Sequence, residues 1–302
     1  MSIIAILLIV ISAVLHAGWN LASKKEVPTT SYFFLAHFFG SMIFLPMVFI
    51  HWRIYTIFPF QVWICAMLSG LFLTIYLSSL AKAFRSGDLS IAYPLIRSIP
   101  IVLVTIFSFL TGSGDKISLQ CLNGILLIVI GCFLLPMTRI RKFRFHHYIN
   151  TTIGFALLAA AGTAGYNIAD DQALHYLRAD PQIDLSNFEL TILYFFAEAT
   201  CASICLLTVI LIKKSRRADL LQKIRFKKKN TALMGLTIYT TYTLALISLA
   251  YVNNVSYVVA FRQISIPLAA ILGIILLKES YYRPKIIGIV ILMIGLFFVG
   301  TG

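Results

Sequence analysis

Apolar residues run along this chain in long, nearly unbroken stretches, and polar or charged residues gather in the short gaps between them. A helix needs roughly 20 apolar residues to cross the hydrocarbon core of a bilayer. Ten stretches meet that length, near 2–22, 30–50, 60–81, 89–111, 117–136, 151–174, 188–212, 230–251, 255–277 and 284–301. Windows 54–81 and 230–261 hold no Asp, Glu, Lys or Arg at all. The sixth and seventh stretches are the least clean, because Asp170, Asp171 and Glu198 interrupt them. A membrane barrel would alternate over segments of about ten residues, and these runs are too long and too continuous for that. The pattern predicts an all-α membrane protein of ten transmembrane helices. The first span lacks a positive leading segment and a small-residue cleavage site, and it is too long for a cleaved signal.

Composition agrees with the pattern. Of 302 residues 60% are hydrophobic and 12% charged, where a soluble domain carries about a quarter charged; the mean hydropathy is +0.91. All five cysteines fall inside spans. Cys201 and Cys205 share a helix face, but no further ligand stands within sequence reach, so packing is expected rather than a metal site or a disulfide framework. There is no P-loop, no Gly-x-Ser-x-Gly and no His-Glu-x-x-His, so no enzyme and no cofactor is expected.

The net charge of +14 is explained by where the charges stand, and it does not point to nucleic acid. One set of alternate gaps carries Lys24, Lys25, Lys82, Arg85, Arg139, Arg141, Lys142, Arg144, nine basic residues between Lys213 and Lys229, and Lys278, Arg283 and Lys285. The other set carries only Arg53, Lys116 and Arg178. Basic loops stay in the cytoplasm. That places the 137–150 and 213–229 loops on the cytoplasmic side of an inner (cell) membrane and both termini outside. The 213–229 loop, "KKSRRADLLQKIRFKKK", is either a solvated orienting loop or a basic stretch lying on the membrane surface.

The chain echoes itself. "HAGWN" at 16–20 returns as "TAGYN" at 163–167, an offset of 147. "SIAYPLIRSIPIVLV" in span four resembles "SYVVAFRQISIPLAA" in span nine, with Arg97 on Arg262. "GDKISLQCLNGILLIVIG" resembles "KESYYRPKIIGIVILMIG", with Asp115 on Glu279, Gly124 on Gly288 and Gly131 on Gly295. His37 falls on Glu198 when "FFLAH" is laid on "YFFAE". Two five-span halves are expected, 1–137 and 151–302, joined by a basic linker at 138–150. Five is odd, so the second half enters from the opposite side, an inverted-topology repeat of the kind secondary transporters use. Arg97 then sits about 12 Å deep from the cytoplasmic side, at 1.5 Å per residue, and Arg262 lies at similar depth from outside.

The residues of "HAGWN", "RSGDLSIAYPLIRSIP" and "YVVAFRQISIPLAAILGIILLKES" resemble the EamA-type drug/metabolite transporters, across essentially the whole chain. The second half keeps "KES" where the first reads "GDK", with Asp115 in place of a Glu. The resemblance implies a secondary carrier of small organic metabolites, with a central cavity lined by spans one, three, four, six, eight and nine. Export is common in that family, with proton or exchange coupling. The motifs do not select a substrate.

Candidate residues follow. An arginine inside a span costs about 2.5–3.5 kcal/mol on insertion scales and faces a cavity or a partner. Arg97 and Arg262, with Gln263 beside it, are candidates to hold a carboxylate or phosphate of the substrate; the alternative is a structural pair with Asp88 or Glu198, or with helix C-terminal carbonyls. Trp19, Asn20, Tyr166 and Asn167 either line the cavity or serve a packing seam built on the neighbouring Ala-Gly pairs. Tyr76, Tyr239 and Tyr242 lie in spans three and eight, where the family's cavity would be, and tyrosine walls suit aromatic or cationic solutes. Glu198, His37 and His16 are candidates for proton coupling, with a counter-ion or a backbone hydrogen bond as the plainer roles. Pro94, Pro100 and Pro267 are hinge candidates, because proline breaks the helical ladder beside each arginine. Asp170 and Asp171 read as a solvated helix end.

The expected function is alternating-access transport of a small polar or amphoteric metabolite, such as an amino acid or organic acid. The rivals are a flippase for a lipid-linked head group and a non-transporting membrane sensor or assembly factor. The expected partners are the solute and the lipid bilayer. Duplication makes one chain sufficient for a pathway, so a monomer is expected, with a dimer left open.

Overall fold

The computed structural model describes residues 1–23, 29–86, 89–135, 137, 151–226, 228–277 and 282–302, without the side chains of 17–23, 84–86, 89–94, 226, 228–230, 273 and 276–277. The basic linker at 138–150, and Lys24, Lys25, Asp88 and Glu279, lie outside the described residues. Among those described there is no strand. The helices are α1 (Ile3–Ser23), α2 (Thr30–Ser41), α3 (Leu45–Ile50), α4 (Phe60–Ser86), α5 (Leu89–Leu110), α6 (Leu119–Leu134), α7 (Thr151–Ala179), α8 (Asn187–Leu211), α9 (Lys214–Phe226), α10 (Lys228–Ser248), α11 (Val255–Phe261), α12 (Ser265–Leu277) and α13 (Arg283–Thr301). Each apolar stretch of the sequence falls on one of these, or on a pair joined by a 3-10 turn. Among the described residues, seven helical segments are long and apolar enough to cross a membrane: Thr30–Ile50, Phe60–Ala83, Thr151–Ala179, Asn187–Leu211, Thr231–Tyr251, Val255–Leu272 and Arg283–Thr301. Three shorter apolar helices accompany them, Ile3–His16, Leu95–Leu110 and Leu119–Leu134.

Large apolar side chains cover the outside. Leu110 is 81% exposed, Phe60 75% and Leu119 74%. Water would not tolerate such a coat, and lipid does. α1 shows the division along one helix: Ala5, Ile9, Ser12 and Ala13 are buried, while Ile3, Leu7, Ile11 and Val14 are exposed.

Apolar helices gain little from meeting one another in lipid, so close backbone approach and interhelical hydrogen bonds must hold them. Glycines supply the first. A Cβ at Gly124 on α6 would stand 2.7 Å from the Gly295 carbonyl oxygen on α13, and one at Gly131 would stand 2.9 Å from that of Gly288. On α10, a Cβ at Gly235 would meet the Ala36 carbonyl oxygen of α2, and on α4 one at Gly70 would meet the Ala202 nitrogen of α8. Ser12 supplies a hydrogen bond, its hydroxyl donating to the Thr241 carbonyl at 2.6 Å and tying α1 to α10. α4 packs on α7 and α8, α10 packs on α1 and α2, and α6 packs on α13.

Two spans are interrupted one turn ahead of a proline. Pro46 follows the 3-10 turn Met42–Phe44, and Pro267 follows the 3-10 turn Arg262–Ile264. Proline removes the donor to the carbonyl four residues back and crowds it, and the backbone tightens there. In contrast α5 stays α-helical through Pro94 and Pro100.

The connections sort to two ends. At one, the Met1 amino group reaches the Gly300 carbonyl at 3.4 Å, and the Asn254 side chain donates to the Ser113 carbonyl at 3.2 Å. At the other, basic α9 lies against the start of α2, where Ser31 donates to the Arg216 carbonyl at 3.2 Å. Leu220 and Ile224 of α9 pack there with Leu35 and Ile210.

Candidate functional site

The polar interior is built around the 3-10 turn that interrupts the ninth apolar stretch. Arg262 opens that turn. Its Nη1 donates to Asn167 Oδ1 of α7 at 3.3 Å, and its guanidinium carbon lies 4.9 Å from the centre of the Tyr242 ring on α10. Asn167 is held in turn by its Nδ2, which donates to the Thr163 carbonyl at 2.7 Å. Gln263, next to Arg262, donates to the Val259 carbonyl at 3.2 Å, while its Oε1 is buried without a partner.

Behind Tyr242 stands Asp170, which is fully buried. Its Oδ1 accepts from Ser69 of α4 at 2.6 Å and from Tyr194 of α8 at 2.7 Å. Its Oδ2 accepts from the Tyr242 hydroxyl. Three hydroxyl donors from three helices, with a guanidinium beyond them, stabilise a carboxylate in an apolar interior. The solvated helix end expected for Asp170 is therefore corrected. The reason is length: α7 runs to Ala179 rather than ending near 174, so Asp170 lies well inside it. Tyr166, Asn167 and Asp170 follow one another at helical spacing and share a face. Asp171, one step round the helix, faces elsewhere. It lines a cavity of about 240 Å³ at the end that holds both termini, with Lys116, His175, Arg178, Ser113 and Asn254. Arg178 Nε donates there to Asn187 Oδ1 at 3.1 Å.

The second arginine belongs to the same interior. Arg97 Nη2 lies 3.2 Å from His16 Nε2 of α1. His16 and Tyr166 both stand within electrostatic reach of Arg97 and Arg262. Aromatic rings join the parts: Tyr76 to Tyr166 at 5.9 Å, Tyr166 to Tyr242 at 5.7 Å, and Tyr242 to Phe195 at 5.2 Å.

Glu198 and His37 sit on the far side of that chain. Glu198 is 1% exposed, and its Oε2 has no partner. The Ser69 hydroxyl that serves Asp170 is also within hydrogen-bonding reach of Glu198. His37 Nδ1 pairs with the Tyr239 hydroxyl at 2.8 Å, beside the Gly40–Gly235 contact of α2 and α10. Tyr239 is fully buried and stacks on Phe195 at 4.6 Å, so it packs the helix interface while Tyr242 faces the arginine. Trp19 and Asn20 lie on α1 and Pro94 on α5, and their side chains are outside the described residues.

The fold and its coat of exposed apolar side chains define an all-helical, multi-pass membrane protein. Residues 3–137 match the model of the EamA-like transporter family, a family of transporters and not of enzymes. The resemblance read from "HAGWN" and the span-four motif is borne out over that stretch. No curated protein matches the chain. Among solved structures, one crystal structure aligns with a TM-score of 0.67 at 17% identity, over 98% of this chain and 96% of that one. At such identity the likeness shows a shared fold alone.

Proposed function

We propose that the chain is a secondary-active carrier of small polar or amphoteric solutes that bear a negative group, amino acids or organic acids being the class that fits. It crosses the inner membrane ten times as two inverted five-helix halves, works as a monomer by alternating access, and moves its solute outward. The pairing of α4 with α7 and α8, repeated by α10 with α1 and α2, supports the two-half plan. So does the α6–α13 seam, where Gly124 meets Gly295 and Gly131 meets Gly288. Contacts of that crossed form are what two-fold-related helices make with each other.

One observation carries the choice of substrate. Arg262 is half-buried and sits at a helix break, and one of its five N–H donors goes to Asn167. The remaining donors suit a carboxylate or phosphate, which arginine binds in a two-pronged fashion. Arg97 and His16 supply a counterpart on the other half. Glu198 is the residue on which proton exchange would run.

The test is reconstitution. Liposomes holding the protein are loaded with a whole-cell metabolite extract under an imposed pH gradient, and the compounds lost are identified by mass spectrometry. Selective loss of a few anionic or amphoteric compounds is expected. Arg262→Ala should slow it at least about tenfold, as loss of one charge-assisted contact worth ~1.4 kcal/mol would do. Transport and selectivity unchanged in both Arg97→Ala and Arg262→Ala would sink the assignment.

A further inference from the structure

Ser69 has a single hydroxyl hydrogen and stands between two buried carboxyls. It donates to Asp170 Oδ1 at 2.6 Å and is also within reach of Glu198. A hydroxyl that gives its hydrogen to one carboxyl can only accept from the other, so the bridge is complete when one of the two carboxyls is an acid. Asp170 is otherwise served by hydroxyls, with Arg262 beyond Tyr242. Glu198 keeps an oxygen, Oε2, with no donor at all while only 1% exposed. Two carboxyls in one apolar site share a proton in preference to ionising together.

The surroundings name what else would satisfy that oxygen. From α4 the pair is faced by Cys65 and Ser69, from α8 by Tyr194 and Cys201, and from α10 by Tyr239 and Tyr242. On α7 Tyr166 stands beside Asp170. Among the described residues, Arg262 is the cation that acts on Asp170. Aromatic rings and unpaired carboxyl oxygen together suit a compact cation with N–H donors.

We propose that Asp170 and Glu198, bridged by Ser69, form one acidic subsite that holds either a proton or the ammonium group of an amphoteric solute. The solute's negative group then rests on Arg262 and Asn167, one ring away across Tyr242. The exchange balances. The pair gives up one proton to solution and takes one ammonium, so its charge is the same before and after. Proton and solute thereby compete for one place, which is the condition for antiport. Ser69 is a positioning residue: it sets how the proton is shared and touches the solute not at all. This inference rests on the carrier reading above, and the experiment separates the two.

Purified protein in weakly buffered detergent solution, with a pH indicator dye, is mixed with one of two probes adjusted to the same pH and sodium content. One probe is an equimolar mixture of the standard amino acids. The other is an equimolar mixture of acetate, succinate and citrate. Binding is read separately as a rise in melting temperature. Release of about one proton per bound solute is expected with the amino acids, and none with the organic acids. Asp170→Asn and Glu198→Gln should each cut the release at least tenfold, and Ser69→Ala should shift its pH midpoint while keeping it. The unaltered protein decides the matter if the variants fail to fold. Amino-acid binding without proton release overturns the subsite and leaves the carrier standing. Equal release with the organic acids, or by sodium chloride alone, overturns it too. Binding of neither mixture takes down the carrier reading and the subsite with it.

Discussion

Asp219 holds an element in place from outside the membrane. Its Oδ2 accepts from the Thr29 hydroxyl at 2.7 Å, and Lys223 lies 3.1 Å from Oδ1. The Thr29 oxygen meanwhile caps α2, accepting from the Tyr32 nitrogen at 3.1 Å. Burial by itself pushes the Asp219 carboxyl up, but hydrogen bonds from Thr29, Ser31 and Lys223 outweigh it and hold the group below the usual carboxylate range. A carboxyl held low in the folded state contributes stability above its ordinary pKa of about 3.9, and the contribution is lost as the pH falls through the folded value. Amide-exchange protection in α9, corrected for the intrinsic rate, should therefore drop on acidification below that range. Asp219→Asn should show the low protection at every pH. Equal protection in both proteins at neutral pH would refute the role. At this same scale the sequence shows some of the site and hides the rest. Arg97 and Arg262 stood out because a charge inside a span is costly in lipid, Tyr166 and Asn167 because "TAGYN" echoes "HAGWN", and Tyr242 because it lies where the resembling family would have its cavity; the structure gathers them in one interior. Asp170 did not, because a carboxylate near an expected helix end is ordinary, and its donors come from Ser69, Tyr194 and Tyr242 on three other helices.

Helices meet through glycine in this molecule, and the α6–α13 seam is where that is tested most cleanly. A Cβ at Gly124 or Gly295 would stand 2.7 Å from the opposing backbone oxygen, and backbone cannot rotate away as a side chain can. Overpacking of this kind costs about 1–3 kcal/mol. Gly124→Ala and Gly295→Ala should each lower the melting temperature in detergent. Gly154→Ala on α7, with nothing within 4 Å, should leave it level or raise it, since alanine favours a helix by about 0.5–1 kcal/mol over glycine. A drop at Gly154 equal to that at Gly124 would remove the seam from the account. The elements themselves were legible, because the length and continuity of its apolar runs are properties of the chain. The position of the break was only half legible. Proline and arginine were both visible in spans four and nine, yet α5 carries two prolines without interruption and the ninth stretch breaks at Arg262.

Sidedness belongs to the whole molecule. Met1 and Gly300 meet at one end, and basic α9 closes the other against Thr29 and Ser31. If the basic end is the cytoplasmic one, a C-terminal reporter that works only in the cytoplasm should be silent, and one inserted in α9 should be active. The opposite result would invert the orientation and leave the fold untouched. The sequence by itself determined that the chain is helical and apolar enough for membrane passage, roughly where its helices lie and how its charges alternate, because each of these follows from composition and the length of the apolar runs; the family resemblance was carried by particular motifs, and residues 3–137 match that family's model. Which glycine faces which, and which hydroxyls surround Asp170, was decided only by tertiary structure. Such contacts depend on how rigid helices rotate and cross, and residues far apart in the chain, such as Ser69, Asp170 and Tyr242, bear no local mark of the partner each will meet.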